Sequence, residues 1–232
     1  MATKYSPKTV TNGLVLSLDA ANTKSYPKSG TTWTDLSGNG NTGTLTNGPT
    51  FNAANGGHIV LDGVDDWINL PTSGFGLSSF SIEFWIKFNA TGNDGYWWAI
   101  ANSSGDNPEL RLSFTTSNKL KYRWYDSSAY IIDSFSQATL TVGTWYHITN
   151  TTQNNDYKFY INGAIDSSFT GTTYNGGTLA CHSIGTYNVF GTSPGYGGYI
   201  SMGLGSYKFY NRVLSSSEVS QNYNAVKSRF GL

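Results

Sequence analysis

Several things are scarce in this sequence. Cysteine occurs once in 232 residues, at Cys181, so no disulfide can form within the chain. A small buried apolar residue is the ordinary role for such a thiol. Charged residues make up 12% of the chain, and 14 basic and 14 acidic side chains cancel to a formal net charge of zero. No cluster of Lys or Arg appears, so the electrostatic footprint of a nucleic-acid binder is missing. No apolar run reaches the ~20 residues of a membrane span. No apolar segment follows the basic residues near the N-terminus, so a signal peptide is not expected. A near-neutral surface also leaves little repulsion between copies, and homo-oligomerisation is expected.

Aromatic residues, by contrast, are plentiful. They form 15% of the chain, with 7 Trp and 16 Tyr, and Asn, Ser, Thr and Gly supply most of the polar surface. Aromatics suit pleated strands better than helices, and few segments carry the Ala, Leu, Glu and Lys of a helix. Strand alternation recurs along the chain. Leu14, Leu16 and Leu18 alternate with Val15 and Ser17. Ile82, Phe84, Ile86 and Phe88 share one face, with Ser81, Glu83, Trp85 and Lys87 on the other. Leu110, Leu112 and Phe114, then Leu120, Tyr122 and Trp124, repeat the pattern, and Tyr130–Ile132 and Thr144–Thr151 continue it.

Turn residues punctuate these runs. His58–Leu61 and Trp67–Leu70 flank Asp62-Gly63-Val64-Asp65-Asp66 and read as a hairpin with an acidic turn. Tyr157–Ile161 and Ala164–Phe169 flank Asn162-Gly163, a type I′ hairpin signal. Segments 35–57 and 185–205 are rich in Gly with Asn, Thr or Tyr and read as loops. One helix is expected near the end. Ser215-Ser216-Ser217-Glu218 matches a capping box, and Val219, Tyr223 and Val226 follow at helical spacing, to pack on the rim of the sandwich. With no crossover helices between strands, the fold class is all-β, an antiparallel two-sheet sandwich with one short C-terminal helix. The organisation expected is an N-terminal arm over 1–12, with a role in attachment, and one domain over 13–232.

A set of segments in fixed order then resembles a known family. These are Gly13-Leu14-Val15-Leu16-Ser17-Leu18-Asp19-Ala20, Trp33-Thr34-Asp35-Leu36-Ser37-Gly38-Asn39-Gly40-Asn41 and Leu61-Asp62-Gly63-Val64-Asp65-Asp66-Trp67-Ile68. Phe80-Ser81-Ile82-Glu83-Phe84-Trp85-Ile86, Trp145-Tyr146-His147-Ile148, Phe159-Tyr160-Ile161-Asn162-Gly163 and Tyr210-Asn211-Arg212-Val213-Leu214-Ser215 follow, with Asn222-Tyr223-Asn224-Ala225 near the end. Together they resemble the LamG-like jelly-roll domains of the concanavalin A-like lectin/glucanase superfamily, of the kind found in virion proteins of tailed bacteriophages. The resemblance implies a structural protein at the virion surface, in a capsid decoration or tail-associated role. It would be assembled in the host cytoplasm, with other virion proteins as partners and a cell-surface glycan as a further one. A glycan-binding adhesion module is the alternative, and a polysaccharide depolymerase using dispersed Asp residues is a third.

The enzymatic branch of that superfamily places its carboxylates on one strand as Glu-x-Asp-x-x-Glu, while retaining hydrolases in general need two carboxyl groups about 5 Å apart. The three glutamates here, Glu83, Glu109 and Glu218, have no acidic partner at that spacing. Glu83 is read as a solvated residue beside Lys87, and no catalytic residue is assigned. His147 reads as a sheet-face residue, and Cys181-His182 has neither the ligand count nor the spacing of a zinc site. Asp62, Asp65 and Asp66 offer hard oxygen ligands suited to calcium, which laminin-G relatives carry at the rim; a polar turn capping backbone amides is the other reading. For a glycan, the candidates are Tyr96, Trp97 and Trp98, and Trp124 with Tyr125. Alternation sends one aromatic of each group outward, while core filling is the competing role of these tryptophans. Gly195-Tyr196-Gly197-Gly198-Tyr199 reads either as a further contact surface or as a mobile loop.

Overall fold

The computed structural model describes residues 7–75, 78–102, 109–126, 129–153, 155–171, 179–186 and 198–232. Its strands are β1 (Leu14–Asp19), β2 (Thr32–Trp33), β3 (Gly43–Thr46), β4 (Thr50–Asn52), β5 (His58–Asp62), β6 (Trp67–Asn69), β7 (Ser79–Phe88) and β8 (Gly95–Asn102). They continue as β9 (Glu109–Phe114), β10 (Leu120–Asp126), β11 (Ala129–Phe135), β12 (Trp145–Gln153), β13 (Asp156–Ile161), β14 (Ala164–Thr170), β15 (Leu179–Ile184) and β16 (Ser201–Tyr210). One helix, α1 (Ser216–Val226), leads into a 3-10 turn over Lys227–Phe230. The first sheet runs β14-β13-β12-β7-β16-β5-β4, with β1 also on β16. The second runs β11-β10-β9-β8-β15-β6-β3-β2. The strands pair antiparallel, and the sheets enclose one core that includes Leu16, Trp33, Phe84, Trp97, Leu112, Tyr122, Phe159 and Phe209.

Local chemistry forms several of these elements as the sequence predicts. Asn162 and Gly163 take φ of 51° and 79°, and Ile161 faces Ala164, which is the two-residue turn whose twist matches its strands. Ser215 caps α1 by accepting from the Glu218 amide, while Glu218 reaches back to the Ser215 amide.

Partner choice corrects the reading elsewhere. His58–Leu61 and Trp67–Leu70 are not a hairpin: β5 pairs with β16 and β4 in the first sheet, and β6 pairs with β15 and β3 in the second. The acidic segment between them is therefore a corner from sheet to sheet. Segment 185–205 is not all loop, because β16 begins at Ser201. Its glycines serve close approach: a Cβ on Gly205 would meet the Phe230 ring at 2.6 Å, and one on Gly203 the His58 ring at 2.9 Å.

The helix does not sit on the rim. It lies over the outer face of the first sheet, where Trp85, Trp145 and Phe230 form a buried cluster with Tyr223 and Val226 packed against it. Phe230 stacks on Trp85 with ring centres 4.3 Å apart. Both faces of β7 are consequently buried. The described part of the N-terminal arm is stitched to the same layer: Val10 donates to Asn222 Oδ1 at 2.7 Å, and its carbonyl accepts from the Tyr210 hydroxyl at 3.1 Å.

The Trp33–Asn41 motif acquires a structural purpose. Asp35 Oδ1 accepts from the Ser17 and Ser37 amides at 2.9 and 2.8 Å, and Oδ2 accepts from the Asn41 amide at 3.0 Å. Asn41 Nδ2 donates to the Val15 carbonyl at 2.9 Å, and the Leu36 amide donates to the Ser17 carbonyl at 2.8 Å. A segment without strand character thus satisfies backbone groups of β1, which protects an edge from intermolecular pairing.

Candidate functional site

The second sheet turns one face to the core and the other outward, and register arranges the outward side chains in cross-strand rows. One row runs Asp133, Arg123, Arg111, Ala99, Ser183, Asn69, Thr44 across β11 to β3. The adjacent row runs Phe135, Lys121, Ser113, Tyr96. On the other side, Tyr125 stands opposite Glu109, which stands opposite Ala101 and then Cys181. The middle of this face is closed to solvent: Tyr96, Ala99, Ala101 and Cys181 form a buried cluster of their own. The β9–β11 end is open. Arg111, Lys121, Arg123 and Tyr125 are half-buried, Asp133 is exposed, and Phe135 is 48% exposed.

Aromatic and charged groups are interleaved at this open end. Lys121 Nζ lies 4.9 Å from the Phe135 ring centre and 2.9 Å from Asp133 Oδ1. Arg123 reaches Asp133 Oδ2 at 3.4 Å. Arg111 donates to the Tyr96 hydroxyl at 2.8 Å while its guanidinium lies 5.1 Å over that ring. Rings beside fixed donors and acceptors are the chemistry by which a sugar is stacked and then oriented.

The tryptophans expected as platforms lie elsewhere. Trp97 and Trp98 have 0% exposure and Trp124 1%, so none offers a face to a ligand. The expectation that alternation frees one of Trp97 and Trp98 fails because the register between β8 and β9 shifts between Tyr96 and Trp98. Trp97 is the extra residue of a bulge, and both indoles enter the core. Among the described residues the Trp97 Nε1 finds no hydrogen-bond partner, which costs about 1–3 kcal/mol. Burying ~200 Å² of indole at about 25 cal/mol per Å² contributes about 5 kcal/mol, so burial prevails. Of the five residues, Tyr125 alone is half-buried on the open part of this face, while Tyr96 is buried against Arg111. Phe135, Lys121, Arg123, Arg111 and Asp133 are not among the candidates singled out from the sequence. Their signal is present there, in the alternation of Arg111, Arg123 and Asp133 with buried Leu112, Trp124 and Ile132. Residues 195–197 of the glycine-tyrosine surface lie outside the described residues.

The corner between β5 and β6 brings ligand atoms of Asp62, Asp65 and Asp66 within 4.8 Å of one another, with Asp66 4% exposed. Asp66 Oδ2 accepts from the Asp62 amide at 3.1 Å, and Asp62 Oδ1 accepts from the Val64 amide at 2.7 Å. Capping of backbone amides is therefore one role of this turn. Burial pushes the Asp66 carboxyl up, and the neighbouring Asp62 and Asp65 charges add to that, against the Asp62 amide. Three convergent hard oxygens, one of them buried beside two like charges, fit the donor chemistry of calcium.

Glu83, Glu218 and His182 are engaged in structural contacts. Contrary to its reading as a solvated residue, Glu83 is 1% exposed beneath α1. It accepts from Lys208 Nζ at 2.6 Å and from Asn222 Nδ2 at 2.5 Å, with His147 Nε2 at 3.5 Å. Burial raises the Glu83 carboxyl, but Lys208 and His147 outweigh it and hold the group well below the carboxylate range. Glu218 pairs with Arg212 at 2.6 Å and is lowered to about 2, chiefly by that hydrogen bond. His182 is buried in the core. Its Nδ1 lies 3.1 Å from the Pro71 carbonyl, its Nε2 is 2.9 Å from the Tyr207 hydroxyl, and burial lowers it to about 3.

Two stacked antiparallel sheets, an outward face with an open aromatic end and a rim corner of carboxylates define a lectin-type jelly-roll domain. A laminin-G family model, described as the concanavalin A-like lectin/glucanases superfamily, matches residues 62–220, and the chain belongs to that family. No curated protein sequence matches it. Among solved structures it is similar to domain 4 of AbnA, a GH43 extracellular arabinanase from Geobacillus stearothermophilus, in complex with arabinotriose. The two share 20% identity at a TM-score of 0.67, over 90% of this chain and 98% of that one. It is also similar to the Trypanosoma rangeli sialidase in complex with sialic acid, at 17% identity and a TM-score of 0.68, where 94% of this chain covers 33% of the sialidase. The botulinum neurotoxin type G receptor binding domain matches at 18% identity and 0.65, over 91% of this chain and 51% of that one. The chain thus spans about a third of the sialidase and half of the neurotoxin domain. Among the described residues, no helix is long and apolar enough to cross a membrane.

Proposed function

We propose that this chain is a non-catalytic glycan-binding module that engages sugar at the open end of its second sheet. The observation that carries this reading is the exposed Phe135 ring set beside Lys121, Asp133 and Arg123, with Tyr125 on the same face. A fold shared with an arabinanase domain in complex with arabinotriose supports it. The engagement of Glu83 and Glu218 in buried or capping contacts argues for binding over hydrolysis. Calcium, at Asp62, Asp65 and Asp66, would rigidify the rim corner. Display as a homo-oligomer on a bacteriophage virion, with other virion proteins as partners, is the setting the sequence resemblance implies. There a repeated array of weak sites would gain by avidity.

A glycan array read with purified protein tests the binding, followed by titration of the strongest hit. Phe135→Ala and Tyr125→Ala should each weaken that hit about tenfold without lowering Tm, since stacking contributes about 1 kcal/mol or more. Silence across the array would sink the reading, and release of reducing sugar from a bound polysaccharide would replace it with an enzyme. Co-sedimentation with phage particles tests the setting separately.

A further inference from the structure

Glu83 on β7 stands opposite Lys208 on β16, and Asn222 of α1 reaches the same carboxylate from above the sheet. Glu83, Lys208 and Asn222 are 1%, 8% and 0% exposed. Attraction alone is a costly reason to bury a charged pair, since apolar side chains of similar volume often serve stability as well. Glu83 Oε1 accepts from Lys208 Nζ at 2.6 Å, and Oε2 accepts from Asn222 Nδ2 at 2.5 Å. One carboxylate thus holds an amine on one oxygen and a carboxamide nitrogen on the other. The oxygen of that carboxamide, Asn222 Oδ1, accepts from the Val10 amide at 2.7 Å. Nδ2 also donates to the Tyr210 hydroxyl at 3.1 Å, and this hydroxyl donates to the Val10 carbonyl, which fixes the plane of the carboxamide.

We infer that Lys208 and Asn222 join in an intramolecular amide bond, with Glu83 carrying the protons. Lys208 Nζ passes a proton to Glu83 Oε1 along their hydrogen bond, and its freed lone pair attacks Asn222 Cγ. The resting pair is ionic, but this transfer cancels two buried charges and so removes the cost of holding them out of water. Charge developing on Oδ1 falls against the Val10 N–H, a donor already in place. The Nζ–Cγ bond forms and the Cγ–Nδ2 bond breaks. Glu83 relays two protons from Nζ to Nδ2, which leaves as ammonium, and the carboxylate is restored. No oxidant is needed, in a chain whose single cysteine rules out an internal disulfide. The reaction runs once per chain, with the protein itself as the only reactant. Its product ties α1 to β16 and locks the layer that holds Trp85, Trp145 and Phe230.

The experiment is intact-mass spectrometry of the full chain, incubated folded and then denatured, followed by peptide mapping. The wild type should be lighter than its sequence mass by one ammonia, and proteolysis should release a branched peptide joining the segments of Lys208 and Asn222. Lys208→Arg and Asn222→Ala should each restore the full mass. Glu83→Gln should slow the loss about a hundredfold, the worth of a positioned proton carrier. A folded wild type that keeps its full mass overturns the inference. So does an ammonia loss that maps to an Asn-Gly pair such as Asn162-Gly163, with no branched peptide. A branched peptide formed equally fast in Glu83→Gln would overturn the part given to Glu83. The wild-type peptide map involves no substitution, so the test holds even where a variant fails to fold.

Discussion

Lys208 donates to Glu83 at 2.6 Å in a layer sealed by the C-terminal helix, and Asn222 of that helix completes the carboxylate from above. Charges on two adjacent strands, β16 and β7, are thus closed over by a residue far along the chain. Breaking a buried pair costs more than the pair itself is worth, because one charge is left behind. Lys208→Met should therefore destabilise the protein by about 3–5 kcal/mol. The double variant Glu83→Gln/Lys208→Met should recover part of that loss. Urea unfolding of the three proteins measures this, and a double variant no more stable than Lys208→Met would show that the charge left unpaired is not the cause.

Acid should destabilise the fold through His182. Its folded value, lowered to about 3 from the ordinary 6.5 by burial, means that the unfolded chain takes up a proton between those values while the folded chain does not. Stability is then full above pH 6.5 and declines as pH falls toward 3, by up to about 1.4 kcal/mol per pH unit. His58, lowered chiefly by burial, adds in the same direction. The slope of unfolding free energy between pH 7 and 5 checks this, and His182→Gln should flatten it. An unchanged slope in that variant would assign the acid sensitivity elsewhere.

Trp97 and Trp98 are buried alike but bonded differently. Trp98 Nε1 donates toward the Tyr207 hydroxyl at 3.0 Å, whereas Trp97 Nε1 has no partner among the described residues. Trp98→Phe should therefore cost about 1 kcal/mol more than Trp97→Phe. Equal losses by denaturant titration would contradict the assignment.

Asp35 holds three backbone amides with one side chain. Asp35→Ala should cost about 2–4 kcal/mol and raise amide exchange along β1. Protection of β1 unchanged from wild type would mean that the motif does not guard that edge.

Calcium should stabilise the corner of Asp62, Asp65 and Asp66. Millimolar calcium is expected to raise Tm, by linkage worth about 2.7 kcal/mol at a hundredfold excess over Kd, and Asp66→Asn should abolish the rise. A Tm indifferent to calcium and to chelator would remove the ion and leave a turn of capping carboxylates.

Features carried by neighbours in the chain are legible in the sequence alone. Asn162-Gly163 forces a twist that only a tight antiparallel turn accommodates. The Ser215–Glu218 box satisfies its own amides within one turn. The alternation of Leu110 to Phe114 marks a core face whichever strand lies beside it. Features that depend on a distant partner are not legible in this way. Glu83 reads as solvated because the helix that buries it follows more than a hundred residues later. Trp97 turns inward because β9 fixes where β8 bulges. The two glycines of β16 read as loop residues because the Phe230 and His58 rings that require them lie elsewhere in the chain.

The sequence by itself determined an all-β sandwich, the Asn162-Gly163 turn and the C-terminal helix, since backbone preference and side-chain period act over a few residues. The tertiary structure decided which sheet each strand joins, which face α1 covers and which aromatics remain accessible. Those outcomes depend on long-range register and on burial free energy shared between segments. That is why the tryptophans went to the core and the accessible part of the second sheet's outer face fell to Phe135 and its charged neighbours.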